Sequence, residues 1–175
     1  ERGQLSVFNM LGSLLNPARP EGQLAGVFSE ALVPLYAGVL PRLGRRRALV
    51  VHGKAGEVGV MDEISTLGPT MMAKVWPNGS EVATMTPADL GVPLAQLDDL
   101  RGGEAGHNAR LIDELLRGER RGAMRDIVLV NAAAAIMVSG LTDDWAEARE
   151  RAGASFDSGA ARNVLQRMQR IAAKS

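Results

Sequence analysis

Arg47-Ala48-Leu49-Val50-Val51-His52-Gly53 is the stretch that decides the fold. A short, unbroken apolar run bounded by charge on one side and glycine on the other reads as a strand covered on both faces. Upstream, Leu32, Val33, Tyr36, Val39, Leu40 and Leu43 recur at the spacing of one helix face, and Ser29 is placed to cap the start. Pro34 is tolerable in a first turn, whereas Pro41, with no N–H to donate, shortens or kinks this helix. Gly44 then ends it, and the Arg45-Arg46-Arg47 run that follows is expected to be solvated near the negative end of the helix dipole. A helix feeding a buried strand is an α/β unit.

Beyond that strand, residues 53–60 are glycine-rich and read as irregular, with an extended pattern resuming over residues 61–65. Two runs at residues 71–76 and 81–85 flank Pro77-Asn78-Gly79-Ser80, and Asn-Gly between such runs is a strong hairpin signal. The hairpin is antiparallel, so the sheet is expected to be mixed. Thr86-Pro87-Ala88-Asp89 reads as a capped single turn. The last third reads as four helices over residues 107–117, 124–140, 144–155 and 159–173, the last capped by Ser158. The second of them holds Asn131-Ala132-Ala133-Ala134 and is apolar nearly all round, so it should be central. Val164, Leu165, Met168, Ile171 and Ala172 share one face of the fourth. The expected fold class is α/β, a mixed sheet flanked by helices within one domain over residues 1–175.

Composition agrees with that class. At 175 residues the chain can bury a real core, and 46% apolar content with 3% aromatic suits Leu, Val, Ala and Met packed between helices and sheet. Lys plus Arg equals Asp plus Glu at 20 each, so no net field favours nucleic acid or an acidic membrane as a partner. Without cysteine there are neither disulfides nor thiolate metal sites, which suits a reducing cytosol. No stretch approaches the ~20 apolar residues of a membrane span, and no secretory pattern opens the chain. Its first residue is Glu1, which fits a fragment or a processed product.

Phe8-Asn9-Met10-Leu11-Gly12-Ser13-Leu14-Leu15-Asn16-Pro17-Ala18 is an apolar run cut by Gly12 and closed by Asn-Pro, a short helix with a sharp stop. Together with His52-Gly53, Asp62-Glu63-Ile64-Ser65, Gly68-Pro69-Thr70, Leu100-Arg101-Gly102-Gly103, Asn131-Ala132-Ala133-Ala134 and Asp157-Ser158-Gly159-Ala160, it resembles the anthranilate phosphoribosyltransferase family. The likeness runs in order along nearly the whole chain. In that family the Phe8 segment lies near the middle of a protein about twice as long. The resemblance therefore implies the C-terminal portion of a nucleoside-phosphorylase type II (class IV phosphoribosyltransferase) architecture, its N-terminal half absent and residues 1–20 forming a hinge or helical-domain segment. It further implies cytoplasmic transfer of a phosphoribosyl group from phosphoribosyl pyrophosphate to an aromatic amine such as anthranilate, in tryptophan biosynthesis. Mg²⁺ would neutralise the departing pyrophosphate. The family's glycine-rich phosphate loop and lysine-histidine-glycine segment lie upstream, so this chain alone is expected to be inactive. The implied partner is the missing half or a homodimer partner, with neither nucleic acid nor membrane expected. A non-catalytic paralogue serving as a binding module, or a different acceptor, are the alternatives.

Asp62-Glu63 is the sharpest candidate. Neighbouring acids in a strand point to opposite faces, but at a strand end both can turn to one hard cation, and Mg²⁺ takes one or two carboxylates plus substrate phosphates. The pair alone is a weak signal; the resemblance makes it the Mg²⁺ pair. Residues 54–61 are a longer link than the family usually has, an insertion that a surface loop absorbs at small entropic cost. By the same resemblance Leu5, Asn9, Asn16 and Pro17 border the acceptor channel. The family has an arginine at the position of Leu5 to read the acceptor's carboxylate, and a proline at that of Ser13. Leucine offers no forked, charged donors, so the acceptor differs, another cation substitutes, or activity is lost. His52 ends an apolar strand and is expected to satisfy a backbone carbonyl rather than to act as acid or base. His107 is read as surface, and Gly102-Gly103 with Asn108 as a turn and helix cap.

Overall fold

The computed structural model describes residues 12–57 and 59–173. Its frame is a five-stranded mixed sheet of β1 (Gly22–Gly26), β2 (Arg47–Ala55), β3 (Gly59–Met61), β4 (Thr70–Trp76) and β5 (Gly79–Met85). The order is β1-β2-β4-β5, with β3 paired to β2. β1 runs parallel to β2 from Gly22↔Arg47 to Gly26↔Val51, while β2 meets β4 antiparallel from Ala48↔Val75 to Gly53↔Thr70. The hairpin expected at Asn78-Gly79 joins β4 to β5, with Trp76 opposite Gly79.

β2 has the two-sided burial its apolar run implies. Ala48 and Val50 join one core cluster, with Val33, Tyr36 and Leu40 of α1 (Leu32–Val39). Leu49 and Val51 join the other, with Val130, Ala134 and Val138 of α3 (Ala123–Val138). α3 thus covers one sheet face, although Val128 on its far side is 38% exposed, so it is less central than its composition suggested. β1 carries no periodic signal of its own, since Gly22-Gln23-Leu24-Ala25-Gly26 is short and bounded by glycine at both ends. Its glycines answer to close approach instead: a Cβ on Gly22 would lie 2.2 Å from the Val138 carbonyl oxygen.

Several local expectations are corrected. Ser29 does not cap α1, whose N-cap is Ala31 without a side-chain bond; the Ser29 carbonyl accepts from Leu32 N–H at 3.1 Å. Pro41 opens a separate 3₁₀ turn (Pro41–Leu43), which Gly44 closes at φ 82°. That turn folds Arg45 inward. Instead of being solvated, Arg45 is 3% exposed and donates to Gln23 Oε1 at 2.7 Å and to the Leu43 carbonyl at 3.1 Å. Residues 53–55 and 59–60 are not irregular either: β2 continues to Ala55, and β3 folds back on it with Lys54 opposite Val60.

After the Thr86–Asp89 turn, in which the Asp89 carboxylate accepts from both Thr86 N–H and its hydroxyl, come α2 (Ala105–Leu116), α3, α4 (Trp145–Asp157) and α5 (Ala160–Ala172). Asp144 caps α4 by accepting from Glu147 N–H at 2.7 Å. Arg125 of α3 is 6% exposed, stacks 5.4 Å over the Phe156 ring and pairs with Asp157 at 2.7 Å, joining the start of α3 to the end of α4. The N-cap of α5 is left-handed Gly159, not Ser158, and none of the helix's residues is buried. Its apolar face points outward, with Val164 53% and Met168 61% exposed.

Candidate functional site

In open α/β sheets, ligands sit beyond the carboxyl ends of parallel strands. Here those are the ends of β1 and β2, and the segment lying across them is residues 62–69. Asp62 and Glu63 are exposed on a bend directly after β3, with fully buried Ile64, Ser65 and Thr66 behind them.

The sequence fastens this bend to the sheet from below. A Cβ on Gly26 would lie 1.5 Å from the Asp62 carbonyl oxygen, and one on Gly53 2.6 Å from that of Glu63. Only glycine at both strand ends lets the acid-bearing backbone come so close. Ser65 N–H donates to Thr70 Oγ1 at 2.9 Å, its hydroxyl donates to the Lys54 carbonyl, and the same oxygen accepts from Leu67 N–H at 2.9 Å. From above, the Asn131 amide accepts from Ile64 N–H at 3.0 Å and donates to the Ile64 carbonyl at 2.9 Å. In the sequence Asn131 stands out only as part of a motif; a single polar residue within the apolar run 127–138 of α3 was the available signal.

Partial shielding from water, and secondarily the neighbouring Asp62 charge, push the Glu63 carboxyl above its usual value, so it keeps a proton to higher pH than a free glutamate. Among the described residues no group of three or more His, Cys, Asp or Glu could hold a metal. Two adjacent carboxylates on a fixed bend nevertheless suit Mg²⁺ shared with a phosphate-bearing ligand, because that ion keeps several non-protein oxygens. Beside the bend, Lys54 pairs with Glu30 and holds that carboxyl below its usual range. His52 is 2% exposed and donates from Nδ1 to the Val27 carbonyl at 2.8 Å, the structural role expected for it.

Other candidates lie elsewhere. Asn16 accepts from Ala18 N–H at 3.0 Å through Oδ1, and both it and Pro17 are exposed in a turn; Leu5 and Asn9 lie outside the described residues. Gly103 N–H donates to Asn108 Oδ1 at 2.8 Å and Asn108 Nδ2 donates back to the Gly103 carbonyl at 2.8 Å, but this is not the expected turn and cap: Asn108 lies inside α2, whose N-cap is Glu104 without a side-chain bond, and Gly102-Gly103 form no turn. A cavity of about 600 Å³ lies at the opposite end of the sheet, where Arg47 and Lys74 are both engaged by Asp143 at 2.9 and 3.4 Å.

Residues 3–162 of this α/β chain match the family model described as "Glycosyl transferase family, a/b domain". The chain belongs to that family. It is 45% identical to the anthranilate phosphoribosyltransferase of Rubrobacter xylanophilus over 95% of its own length and 47% of that protein's. Identity to the Rhodospirillum rubrum enzyme of the same name is also 45%, over 96% of this chain and 47% of the relative. Among solved structures, anthranilate phosphoribosyltransferase from Thermus thermophilus superposes with TM-score 0.82 at 36% identity, covering 94% of this chain and 47% of that one. The Saccharomyces cerevisiae enzyme in complex with PRPP and Mg gives 0.79 at 28% identity, over 92% and 45%. The chain thus spans about half the length of the curated relatives it matches.

Proposed function

We propose that this chain is the metal-holding half of a phosphoribosyltransferase that passes a phosphoribosyl group from phosphoribosyl pyrophosphate to an aromatic amine such as anthranilate. The observation carrying this reading is the Asp62-Glu63 bend, pinned by Gly26 and Gly53 across the carboxyl ends of β1 and β2. Mg²⁺ bound there supplies charge neutralisation for the departing pyrophosphate. Asp62 and Glu63 hold and orient it, while the buried residues 64–66 keep the bend in place before ligand arrives. The hinge or helical-domain segment expected over residues 1–20 lies largely outside the described residues, and the proposed setting is the cytoplasm.

The relatives' remaining length supplies the other phosphate contacts, as a complementary N-terminal polypeptide. Two surfaces suit it: the outer edge of β1, which among the described residues pairs only with β2, and the outward apolar face of α5. The purified 175-residue chain, given Mg²⁺, phosphoribosyl pyrophosphate and anthranilate, is expected to show no turnover. Adding the N-terminal half of a relative should produce a stable complex in gel filtration and restore product formation. Turnover by the chain alone, or a stable complex that stays inactive with every aromatic amine tried, overturns the proposal.

Leu5 favours a second reading, a changed acceptor. Leu5→Arg, made in the intact protein, should tighten anthranilate binding by about 1.5–3 kcal/mol, the worth of a hydrogen bond to a charged group. Calorimetric titration reads this directly. A parent protein that already binds anthranilate as tightly as the variant removes this second reading.

A further inference from the structure

Helix α3 carries one side chain that the packing of an apolar helix does not require. We infer that Asn131 is a positioning residue for the acid pair, setting the Asp62-Glu63 bend through both backbone groups of Ile64; this rests on the metal reading proposed above.

The geometry is that of a neighbouring strand supplied by one side chain. Oδ1 accepts the Ile64 N–H at 3.0 Å, and Nδ2 donates to the Ile64 carbonyl at 2.9 Å and to the Ile127 carbonyl at 3.0 Å. Flipping the amide would set its oxygen against two carbonyls, so the orientation is determined by the partners. Asp would keep the acceptor but lose both donors, and Ala would lose all three bonds. Ile64 directly follows Glu63, is fully buried, and lies in no strand or helix. No sheet ladder holds its backbone, and Asn131 stands in for one. The glycine approaches limit how residues 62 and 63 sit over the strand ends, while the Asn131 bonds fix where the chain goes next. Between them the two carboxylates are presented in one geometry before any cation arrives, which lowers the ordering cost of binding.

A purely structural Asn131 would affect stability alone. The test uses the intact protein, titrated calorimetrically with Mg²⁺ in the presence of inorganic pyrophosphate, alongside hydrogen exchange of the Ile64 amide. Asn131→Ala should weaken Mg²⁺–pyrophosphate binding about tenfold, the lower end for losing an outer-shell partner, and expose the Ile64 amide to faster exchange. Asn131→Asp should keep Ile64 N–H protected yet still weaken binding. Asn131→Ser, a milder change, should shift both readouts in the same sense and covers the case in which the alanine variant does not fold. Val33→Ala is the control: Val33 of α1 is fully buried in the core cluster on the opposite face of the sheet, which does not include Ile64. It should lower the melting temperature while leaving the titration and the Ile64 exchange as in the parent. The inference is overturned if the Asn131 variants bind as the parent does, or if Val33→Ala weakens binding equally. Asp62→Asn separates the levels. Should it leave the titration unchanged, the metal reading fails and takes this inference with it; should it weaken binding where the Asn131 variants do not, only the positioning role fails.

Discussion

Asp62→Asn and Glu63→Gln, each made in the intact protein, are expected to raise the Mg²⁺ concentration for half-maximal activity at least about tenfold, with the melting temperature nearly unchanged. Each substitution keeps the shape of the side chain and removes its charge. Both side chains are exposed, so the fold loses little, surface changes typically staying within about 0.5 kcal/mol. The metal loses one of two protein ligands, and Mg²⁺ dehydrates too reluctantly to recruit another without cost. Without pyrophosphate, even the parent should bind Mg²⁺ weakly. A pH series adds an independent check. Protons compete with the cation for Glu63, whose carboxyl sits above its usual value, so binding should begin to weaken on acidification at a higher pH than for an ordinary glutamate. Glu63→Gln should remove that early loss. Curves for both variants that overlay the parent would return these residues to the solvated surface.

Gly26→Ala should have the largest structural effect of any glycine-to-alanine change among the described residues. The new Cβ would be placed 1.5 Å from the Asp62 carbonyl oxygen and 2.5 Å from its carbon, both backbone atoms with no side-chain rotamer to give way. Either β1 or the acid bend must move. Overpacking of this kind costs about 1–3 kcal/mol or more, a fall of several degrees in melting temperature at this size. Because the displaced group is the acid bend itself, pyrophosphate-dependent Mg²⁺ binding should fall by more than the stability loss explains. Gly153→Ala provides the contrast: Gly153 lies inside α4 with no atom within 4 Å of a new Cβ, and the change should stabilise the protein by about 0.5–1 kcal/mol. If Gly26→Ala retains parental Mg²⁺ binding, the close approach does not hold the acid geometry.

The elements that were legible carry their own local signal. β2 announces itself by an unbroken apolar run, the β4–β5 hairpin by Asn78-Gly79, and α4 by Asp144 at its cap. Where local chemistry pointed one way and packing another, packing prevailed. Ser29 and Ser158 are good capping residue types that the chain does not use as N-caps, since α1 begins after Ala31 and Gly159 occupies the cap of α5. Arg45 looked solvated because charge runs usually are, yet the left-handed turn at Gly44 tucks it against Gln23.

Asp62-Glu63 was identifiable as an acid pair in a family motif, and His52 as a structural imidazole, from residue type and neighbours alone. Those are short-range properties, and so are the α/β class and the mixed sheet that the hairpin and the buried strand imply. What only the tertiary structure decided is long-range. β1 exists as a strand because it pairs with β2 some twenty-five residues on, and no period within Gly22–Gly26 reveals that. Gly26 and Gly53 acquire meaning only once the acid bend crosses over them, and Asn131 only once α3 is laid on the sheet 67 residues after Ile64. A sequence displays which residues can form a bond, whereas the distances that make them do so arise when separate elements pack together.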